Sequence, residues 1–505
     1  MENAHDNEII ITTLNARYMH TAFGLRYLYA NLGELQSSAC VEEFTIQQRP
    51  IDIAEKLLKR RPRIIGFGVY IWNVAEVSKT VELLKQISPE TIIVLGGPEV
   101  SHLPDAPAVV EIADYVVMGA AEKSFRELCQ LLLSGNKPFA KEIQSDELQL
   151  DQLRLPYEYY TDDDIKNRLI YVEASRGCPF KCEFCLSSLD KTSKPFELDV
   201  FLDEMEALYQ RGARNFKFID RTFNLKVSSS IAILEFFLER MTDDLYLHFE
   251  VVPDNLSDKL KTVIQKFPYH TLQFEIGVQT FDENIQALIS RKQDNKKTCE
   301  NLRWLRQETH AYIHADLIFG LPSDTLDNFA KSFDQLVSLN PHEIQLGILK
   351  RLRGVPLNRH NEEYQLRYNP EAPYNILRTR DINFETMQRV NRFARYWDMV
   401  ANSGRFKNTL PLILDGSPFD GFMQLSDSLY QAVGSTWKIS LQRLFVLIFE
   451  SLKLRDDVDE SLLSEVLRKD YESTGEKATF ASLINKKNKV TRIGVANKRQ
   501  QKVLQ

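Results

Sequence analysis

Three cysteines, Cys178, Cys182 and Cys185, share the short run Cys-Pro-Phe-Lys-Cys-Glu-Phe-Cys. The spacing C-x3-C-x2-C places three thiolates on one tight loop, just after an apolar segment that reads as a strand. Three thiolates can hold three irons of a cuboidal four-iron, four-sulfur cluster, which is ordinarily closed by a fourth Cys. The next candidates, Cys129 and Cys299, are far off in sequence and sit within amphipathic helical patterns. The fourth iron is therefore expected to be open to an exogenous ligand, which implies chemistry rather than electron storage. A structural zinc loop would need four ligands in a closed tetrahedron, normally as C-x2-C pairs, and fits less well. A disulfide framework fits least. Six Cys in 505 residues, an N-terminus Met1-Glu2-Asn3 with no apolar leader and three thiols crowded on one loop point to the reducing cytoplasm.

The cysteine loop must be positioned by the elements around it. Strand patterns recur at 169–173, 215–219, 246–252, 272–278, 313–319 and 343–349, with helical patterns between them. Six such units predict an open, partial (βα)6 barrel over residues 166–365, whose active site would lie at the carboxyl ends of the strands. Upstream, strand patterns at 8–14, 41–46, 64–70, 91–95 and 116–118 alternate with helical spacing at 22–32, 51–58, 74–87 and 124–133. The pattern predicts an α/β domain over residues 1–140, built on a doubly wound parallel sheet of five strands.

Ligands of such sheets bind beyond the carboxyl ends of the strands. Here those ends carry Gly66-Phe67-Gly68, Gly96-Gly97-Pro98-Glu99 and Gly119-Ala120-Ala121-Glu122. Each loop alone reads as turn chemistry, but three together suit a large flat ligand that backbone must approach closely. Residues 141–165 read as a linker, and Asp162-Asp163-Asp164 as a solvated acidic turn. From 366 to 505 the pattern becomes helical without strands, with Phe384, Met387, Val390, Phe393, Ala394 and Trp397 at helical spacing. Lys486, Lys487, Lys489, Arg492, Lys498, Arg499 and Lys502 then form a basic tail. It reads as solvated, with nucleic acid or an acidic partner as the alternative.

Composition agrees with a large globular enzyme: 43% hydrophobic and 26% charged residues, with a net charge of -7. That charge gives no reason to expect nucleic-acid binding by the whole chain. No apolar run approaches the roughly 18 residues of a membrane span, so no membrane partner is expected. Leu444 to Phe449 is closed in by Arg443 and Glu450 and reads as a buried helix.

The cysteine spacing, with aromatic Phe184 directly before the third Cys, resembles that of the radical S-adenosylmethionine (SAM) enzymes. The resemblance implies that Cys178, Cys182 and Cys185 ligate a 4Fe-4S cluster. SAM's amino and carboxylate groups would chelate the open iron and SAM would be cleaved to a 5'-deoxyadenosyl radical. It also implies an external electron donor such as flavodoxin or ferredoxin. The runs I-I-G-F-G-V-Y-I-W-N, V-L-G-G-P-E-V-S and V-V-M-G-A-A-E resemble the cobalamin-binding domain that precedes the cluster domain in one large radical SAM class. Gly68, Gly96, Gly97 and Glu122 would then contact cobalamin. Two departures stand out. Ala120 and Ala121 replace part of the common G-E-G-E, and the D-x-H-x-x-G motif of methionine synthase-type domains is missing. His20 lies one residue too far from Gly24, so cobalamin is expected to bind without a protein imidazole.

The oxygen-independent coproporphyrinogen oxidases, a sister group, suggest the remaining SAM contacts. These are Asp220 and Thr222 in the turn after the second barrel strand, Glu250 on the third, Gln279 on the fourth with Arg291 twelve residues on, and Asp316 in Asp316-Leu317-Ile318-Phe319-Gly320-Leu321-Pro322 on the fifth. Arg291 would offer its fork to a carboxylate, Glu250 would accept from ribose or ammonium, and Gln279 would do both. The whole arrangement is similar to cobalamin-binding radical SAM proteins that end in a helical domain of unknown function. The implied activity is methylation of an unactivated carbon or phosphorus centre. A cyclisation, oxidation or rearrangement with the same cofactors, or a cobalamin or redox sensor, are the alternatives. The resemblance leaves the substrate unidentified.

Overall fold

The computed structural model describes residues 8–147, 149–476 and 479–485; the basic tail lies outside them. Two compact units emerge, residues 1–388 and 389–505. The first opens on a parallel sheet of β1 (Ile9–Asn15), β2 (Ala39–Thr45), β3 (Ile64–Gly68), β4 (Ile92–Gly96), β5 (Tyr115–Met118) and β6 (Glu142–Gln144). The strand order is β2-β1-β3-β4-β5-β6. β1 is buried along its whole length because helices cover both faces, as its unbroken Ile-Ile-Ile start requires. Ile10, Ile65 and Leu95 fill one face, and Ile11, Ile64 and Val94 the other. The helices are α1 (Phe23–Ala30), α2 (Pro50–Leu58), α3 (Val74–Ile87), α4 (Val109–Ile112) and α5 (Glu122–Leu133). The order reverses at β1, between β2 and β3, and such switch points open a crevice at the strand ends.

The sequence pattern predicts five strands here, and the structure has six. β6 pairs in parallel with β5. A three-residue edge strand with one apolar side chain, Ile143, leaves almost no periodic signal.

The acidic run is solvated only in part: Asp162 and Asp163 are exposed, and the run opens a helix rather than a turn. Thr161 and Asp164 form a capping box that starts α6 (Asp162–Asn167), and Asp164 is buried. It belongs to a closed quartet in which Arg26 and Arg168 each contact both Glu43 and Asp164, every pair at 2.7 Å. The quartet joins α1 and β2 of the first sheet to the segment that feeds the second.

That second sheet begins with β7 (Ile170–Val172). A two-stranded antiparallel pair, β8 (Ser175–Arg176) and β9 (Lys194–Pro195), then brackets the cysteine loop. The parallel strands continue with β10 (Asn215–Phe218), β11 (Tyr246–Val251), β12 (Leu272–Gln279), β13 (Tyr312–Phe319) and β14 (Glu343–Ile348). Their order, β14-β13-β12-β11-β10-β7, is that of a partial barrel with β7 and β14 at its edges. The intervening helices are α7 (Leu198–Gln210), α8 (Val227–Leu238), α9 (Asp258–Ile264), α10 (Glu283–Leu288), α11 (Asn295–Glu308) and α12 (Leu326–Ser338). β12 alternates strictly: Leu272, Phe274, Ile276 and Val278 are buried, while Gln273, Glu275, Gly277 and Gln279 are not. This period of two puts the polar set on the barrel's inner face. Past residue 365, where helices alone were expected, β15 (Arg367–Tyr368) and β16 (Ile376–Arg378) form a short antiparallel pair.

The second unit is helical, with α13 (Phe384–Val400) running into it. α14 (Leu410–Ile413), α15 (Pro418–Val433), α16 (Leu441–Leu452), α17 (Glu460–Ser473) and α18 (Phe480–Asn485) complete it. Its aromatic residues form its core, with Phe393 and Trp397 packed on Phe422, and Phe445 on Tyr471. Buried Asp470 accepts from the backbone N–H groups of Asn408 and Thr409 and fixes the turn before α14. Among the described residues no helix is long and apolar enough to cross a membrane.

Candidate active site

The loop between β8 and β9 is held rigidly. Gly177 has φ +88°, and a Cβ there would lie 2.3 Å from the Thr192 carbonyl oxygen, so only glycine fits. The Cys178 N–H donates to the Asp190 carbonyl at 3.1 Å. This geometry presents Cys178, Cys182 and Cys185 to a cavity of about 240 Å³ at the carboxyl ends of the barrel strands. All three are free thiols, and Cys40, Cys129 and Cys299 lie elsewhere in the fold. Among the described residues no three His, Cys, Asp or Glu side chains converge on a single-ion site. Three thiols on one wall suit a polynuclear cluster, in which each sulfur meets a different iron. Burial pushes the Cys178 and Cys182 thiols up, and the Arg291 guanidinium opposes this at Cys182, 3.7 Å from its Sγ.

Phe184, Thr222, Glu250, Gln279, Arg291 and Asp316 line the same cavity. Gln279 is a non-glycine residue at φ +70°, a conformation that is costly without compensation and concentrates at functional sites. A Cβ at Gly277 would fall 2.4 Å from Gln279 Nε2, so the strand's one inward glycine makes room for this side chain. Arg291 directs Nε and Nη2 to Gln293 Oε1 at 3.0 and 2.8 Å, and Nη2 also donates to the Gly277 carbonyl. Its fork is thus largely held within the loop, beside Cys182. Asp316 sits 3.1 Å from His314, and burial raises its carboxyl while His314 opposes the rise.

Asp220 is placed differently from its companions. It lies behind the cavity wall, accepting from Ser175 Oγ at 2.6 Å and from the Ala174 N–H at 3.0 Å. Its side chain ties the turn after β10 to the strand leading into the cysteine loop. Burial raises its carboxyl to about 7, against the opposing effect of those hydrogen bonds. A folded-state value above the unfolded one means that the folded protein holds more protons between about pH 4 and 7. Stability from this group is therefore present at low pH and lost as pH rises toward 7. Asp220→Asn is expected to flatten that decline, measured as the change in thermal midpoint between pH 5 and pH 8 relative to wild type.

Several cavity residues carry no motif. Arg221 contacts both oxygens of Glu250 at 2.6 and 2.9 Å. Glu275 meets His248 at 3.0 Å and Lys217 at 3.3 Å. Burial pushes Glu275 up, but His248 and Lys217 outweigh it and bring the carboxyl to about 2, so it is ionised at neutral pH. The signal that could have found Glu275 is its place two residues before Gly277 and four before Gln279, on the same strand face.

At the first sheet's carboxyl edge, a second cavity of about 200 Å³ is lined by Gly68, Gly96, Gly97 and Glu122, with Gly119, Ala120 and Ala121 beside them. The three glycine-bearing turns do come together there. Glu122 Oε1 accepts from Arg176 at 2.7 Å, and Arg176 also holds Glu173 at 2.7 Å. A third, larger cavity of about 700 Å³ joins the other two. It shares Gly24, Tyr70, Glu122 and Arg176 with the second, and Arg221, Glu250 and Glu275 with the first. His20 lines this chamber, and its Nδ1 lies 2.7 Å from the Tyr171 hydroxyl.

Known proteins agree with this layout. The sequence model of the B12 binding domain matches residues 9–129, that of the Radical SAM superfamily residues 172–336, and that of a protein family of unknown function (DUF4080) residues 362–504. The chain thus carries matches to a B12 binding domain, a Radical SAM domain and a DUF4080 domain, in that order. The Radical SAM and B12 binding matches are those of an enzyme that uses SAM and cobalamin. An uncharacterized methyltransferase of Pyrococcus horikoshii is 24% identical over 62% of this chain and 73% of its own length. The cobalamin-dependent radical SAM methyltransferase TokK of Streptomyces tokunonensis is 25% identical over 62% of this chain. The chain spans about half of TokK's length (51%). The structure of the radical SAM methyltransferase TsrM from Kitasatospora setae superposes with a TM-score of 0.58 at 17% identity, over 72% of this chain and 79% of TsrM. At that identity the likeness concerns the fold.

Proposed function

We propose that this enzyme methylates an unactivated carbon or phosphorus centre of a substrate held in the 700 Å³ chamber. One observation carries the reading: a three-thiol cavity and a glycine-rimmed cavity adjoin the same chamber through shared walls. In this reading Cys178, Cys182 and Cys185 hold the cluster. Phe184, Thr222, Glu250, Gln279, Arg291 and Asp316 bind SAM, and Gly68, Gly96, Gly97 and Glu122 border cobalamin. Asp220 acts one step back, orienting the turn that bears Thr222. The corresponding division of the chain is a cobalamin domain over 1–140, a linker over 141–165, the cluster domain over 166–365 and a C-terminal domain over 366–505 that is helical apart from the β15–β16 pair. When bound, the cluster with SAM supplies hydrogen-atom abstraction and cobalamin supplies a methyl group.

The chain's own share is orientation and charge. Burial raises the Glu250 carboxyl, and Arg221, bonded to both of its oxygens, opposes the rise and holds it beside the thiols. Four carboxylates, Glu122, Glu173, Glu250 and Glu275, face three cations, Arg176, Lys217 and Arg221, in the chamber. That balance suits a neutral or cationic substrate better than a polyanion and favours the carbon centre. The reducing equivalent comes from an external donor such as flavodoxin or ferredoxin, and the setting is the cytoplasm.

The test is anaerobic incubation of the reconstituted protein with SAM and reductant. Both 5'-deoxyadenosine and S-adenosylhomocysteine are expected by mass spectrometry. Deoxyadenosine without the homocysteine product would move the reading to a non-methylating reaction, and neither product would overturn it.

A further inference from the structure

Residues 351–360, Arg-Leu-Arg-Gly-Val-Pro-Leu-Asn-Arg-His, follow the last barrel strand and contain no motif. Their two ends are anchored to different places. At the first end, buried Arg353 directs Nε to Glu99 Oε1 at 2.7 Å, Nη1 to Asp105 and Nη2 to the Tyr374 hydroxyl at 3.1 Å. Arg351 adds a second bond to Asp105. Glu99 and Asp105 belong to the loop that continues Gly96-Gly97-Pro98, the rim of the glycine-bearing cavity. Gly354 has φ +75°, and a Cβ on it would lie 2.3 Å from the His102 ring of that same loop.

At the other end the partner is Glu183, between Cys182 and Cys185. Its buried carboxylate accepts from Arg359 Nε at 3.0 Å and Ser290 Oγ at 2.7 Å, and lies 3.0 Å from His360 Nε2. Its carbonyl accepts from the Leu357 N–H at 3.1 Å, and its own N–H donates to Ile289 at 3.0 Å. Fewer than ten residues thus connect the cysteine loop to the rim of the other cofactor cavity. Both ends are held by charge-assisted hydrogen bonds with planar, directional geometry.

We propose that this segment is a strap that couples the two cofactor sites, with Arg353 and Glu183 as its positioning residues. Ordering of the loop at Glu99 by cobalamin would favour the arrangement of Arg353, and through the strap that of Glu183 and the cysteine loop. Such coupling is reciprocal, so an intact cluster must tighten cobalamin binding by the factor by which cobalamin favours the cluster-bearing loop. The inference rests on the cofactor placement proposed above.

The test measures the dissociation constant of hydroxocobalamin by equilibrium dialysis, on full-length protein with and without a reconstituted cluster, with iron and sulfide determined on each sample. In wild type the cluster is expected to tighten binding about fivefold or more. Arg353→Ala, remote in sequence from the cysteines, is expected to keep its iron and bring the ratio to about one. Arg353→Lys keeps the charge but not the fork, and is expected to lower the ratio likewise, providing the reading should the alanine variant not fold. A wild-type ratio of one with both cofactors bound overturns the strap while leaving the proposed function standing. So does an undiminished ratio in either variant. A protein that takes up neither cofactor overturns both.

Discussion

Replacing any one of Cys178, Cys182 and Cys185 with alanine is expected to reduce reconstituted iron and labile sulfide from about four of each per chain to near zero. SAM cleavage should be abolished with it. A methyl side chain offers no ligand, and the loop has no spare thiol to substitute: Cys129 is fully buried in α5, and Cys299 on α11 accepts from Gln335 Nε2 at 3.3 Å. The loop itself is set by Gly177 and by the Cys178 contact with Asp190, so the variants should fold and keep the cobalamin domain. The measurement is iron and sulfide content with the electron paramagnetic resonance spectrum of the reduced protein. Wild type that reconstitutes with zinc and no sulfide would defeat the reading from its root.

Gly97→Leu is expected to lower cobalamin retention at least tenfold while leaving iron content at the wild-type level. Gly97 has φ +104°, and even a Cβ would stand 2.6 Å from the Val69 carbonyl oxygen and 3.1 Å from its nitrogen. A side chain there must displace Val69, the residue after β3, whose N–H is bonded to the Gly96 carbonyl at 2.8 Å. The backbone strain alone is of order 1–3 kcal/mol, and the distortion falls on the rim where a flat ligand would lie. His20→Ala serves as the contrast, and should leave the cobalt resonance unchanged. Burial and the nearby Lys217, Arg17 and Arg168 charges keep that imidazole's pKa low, and its Nδ1 is occupied with Tyr171. A changed cobalt signal in His20→Ala would make the imidazole a ligand. Unaltered cobalamin retention in Gly97→Leu would remove this rim from the site.

What could be read from the sequence was what is local. The cysteine loop is one short run, and each glycine turn sits at the end of a β-branched strand, so spacing and periodicity found both. The strand-helix alternation gave both sheets for the same reason. Gln279, Arg291, Glu250 and Asp316 could be placed only through family resemblance, because their neighbourhood is assembled from three strands and the loop after one of them. For Asp220 sequence position indicates the turn and leaves the side chain open: whether a carboxylate faces a cavity or the backbone behind it depends on Ser175, 45 residues away. The bond between Arg353 and Glu99 spans 254 positions, and no short-range pattern encodes it. Asp164 misled for a related reason. Three consecutive aspartates look solvated until one of them is found facing two arginines from distant segments.

The quartet of Arg26, Glu43, Asp164 and Arg168 has a bearing on how this protein can drift through sequence space. Its two positive and two negative members cancel, each touching both opposites, in a spot almost closed to water. Loss of any one member would strand a net charge there, at roughly 3–5 kcal/mol, whereas exchanging an opposite pair for apolar residues together is often neutral. Single steps at these four positions are therefore nearly forbidden and double steps are open. Descendants of this chain should carry the four together or be missing them in matched pairs, and the angle between the two sheets would be inherited along with that choice.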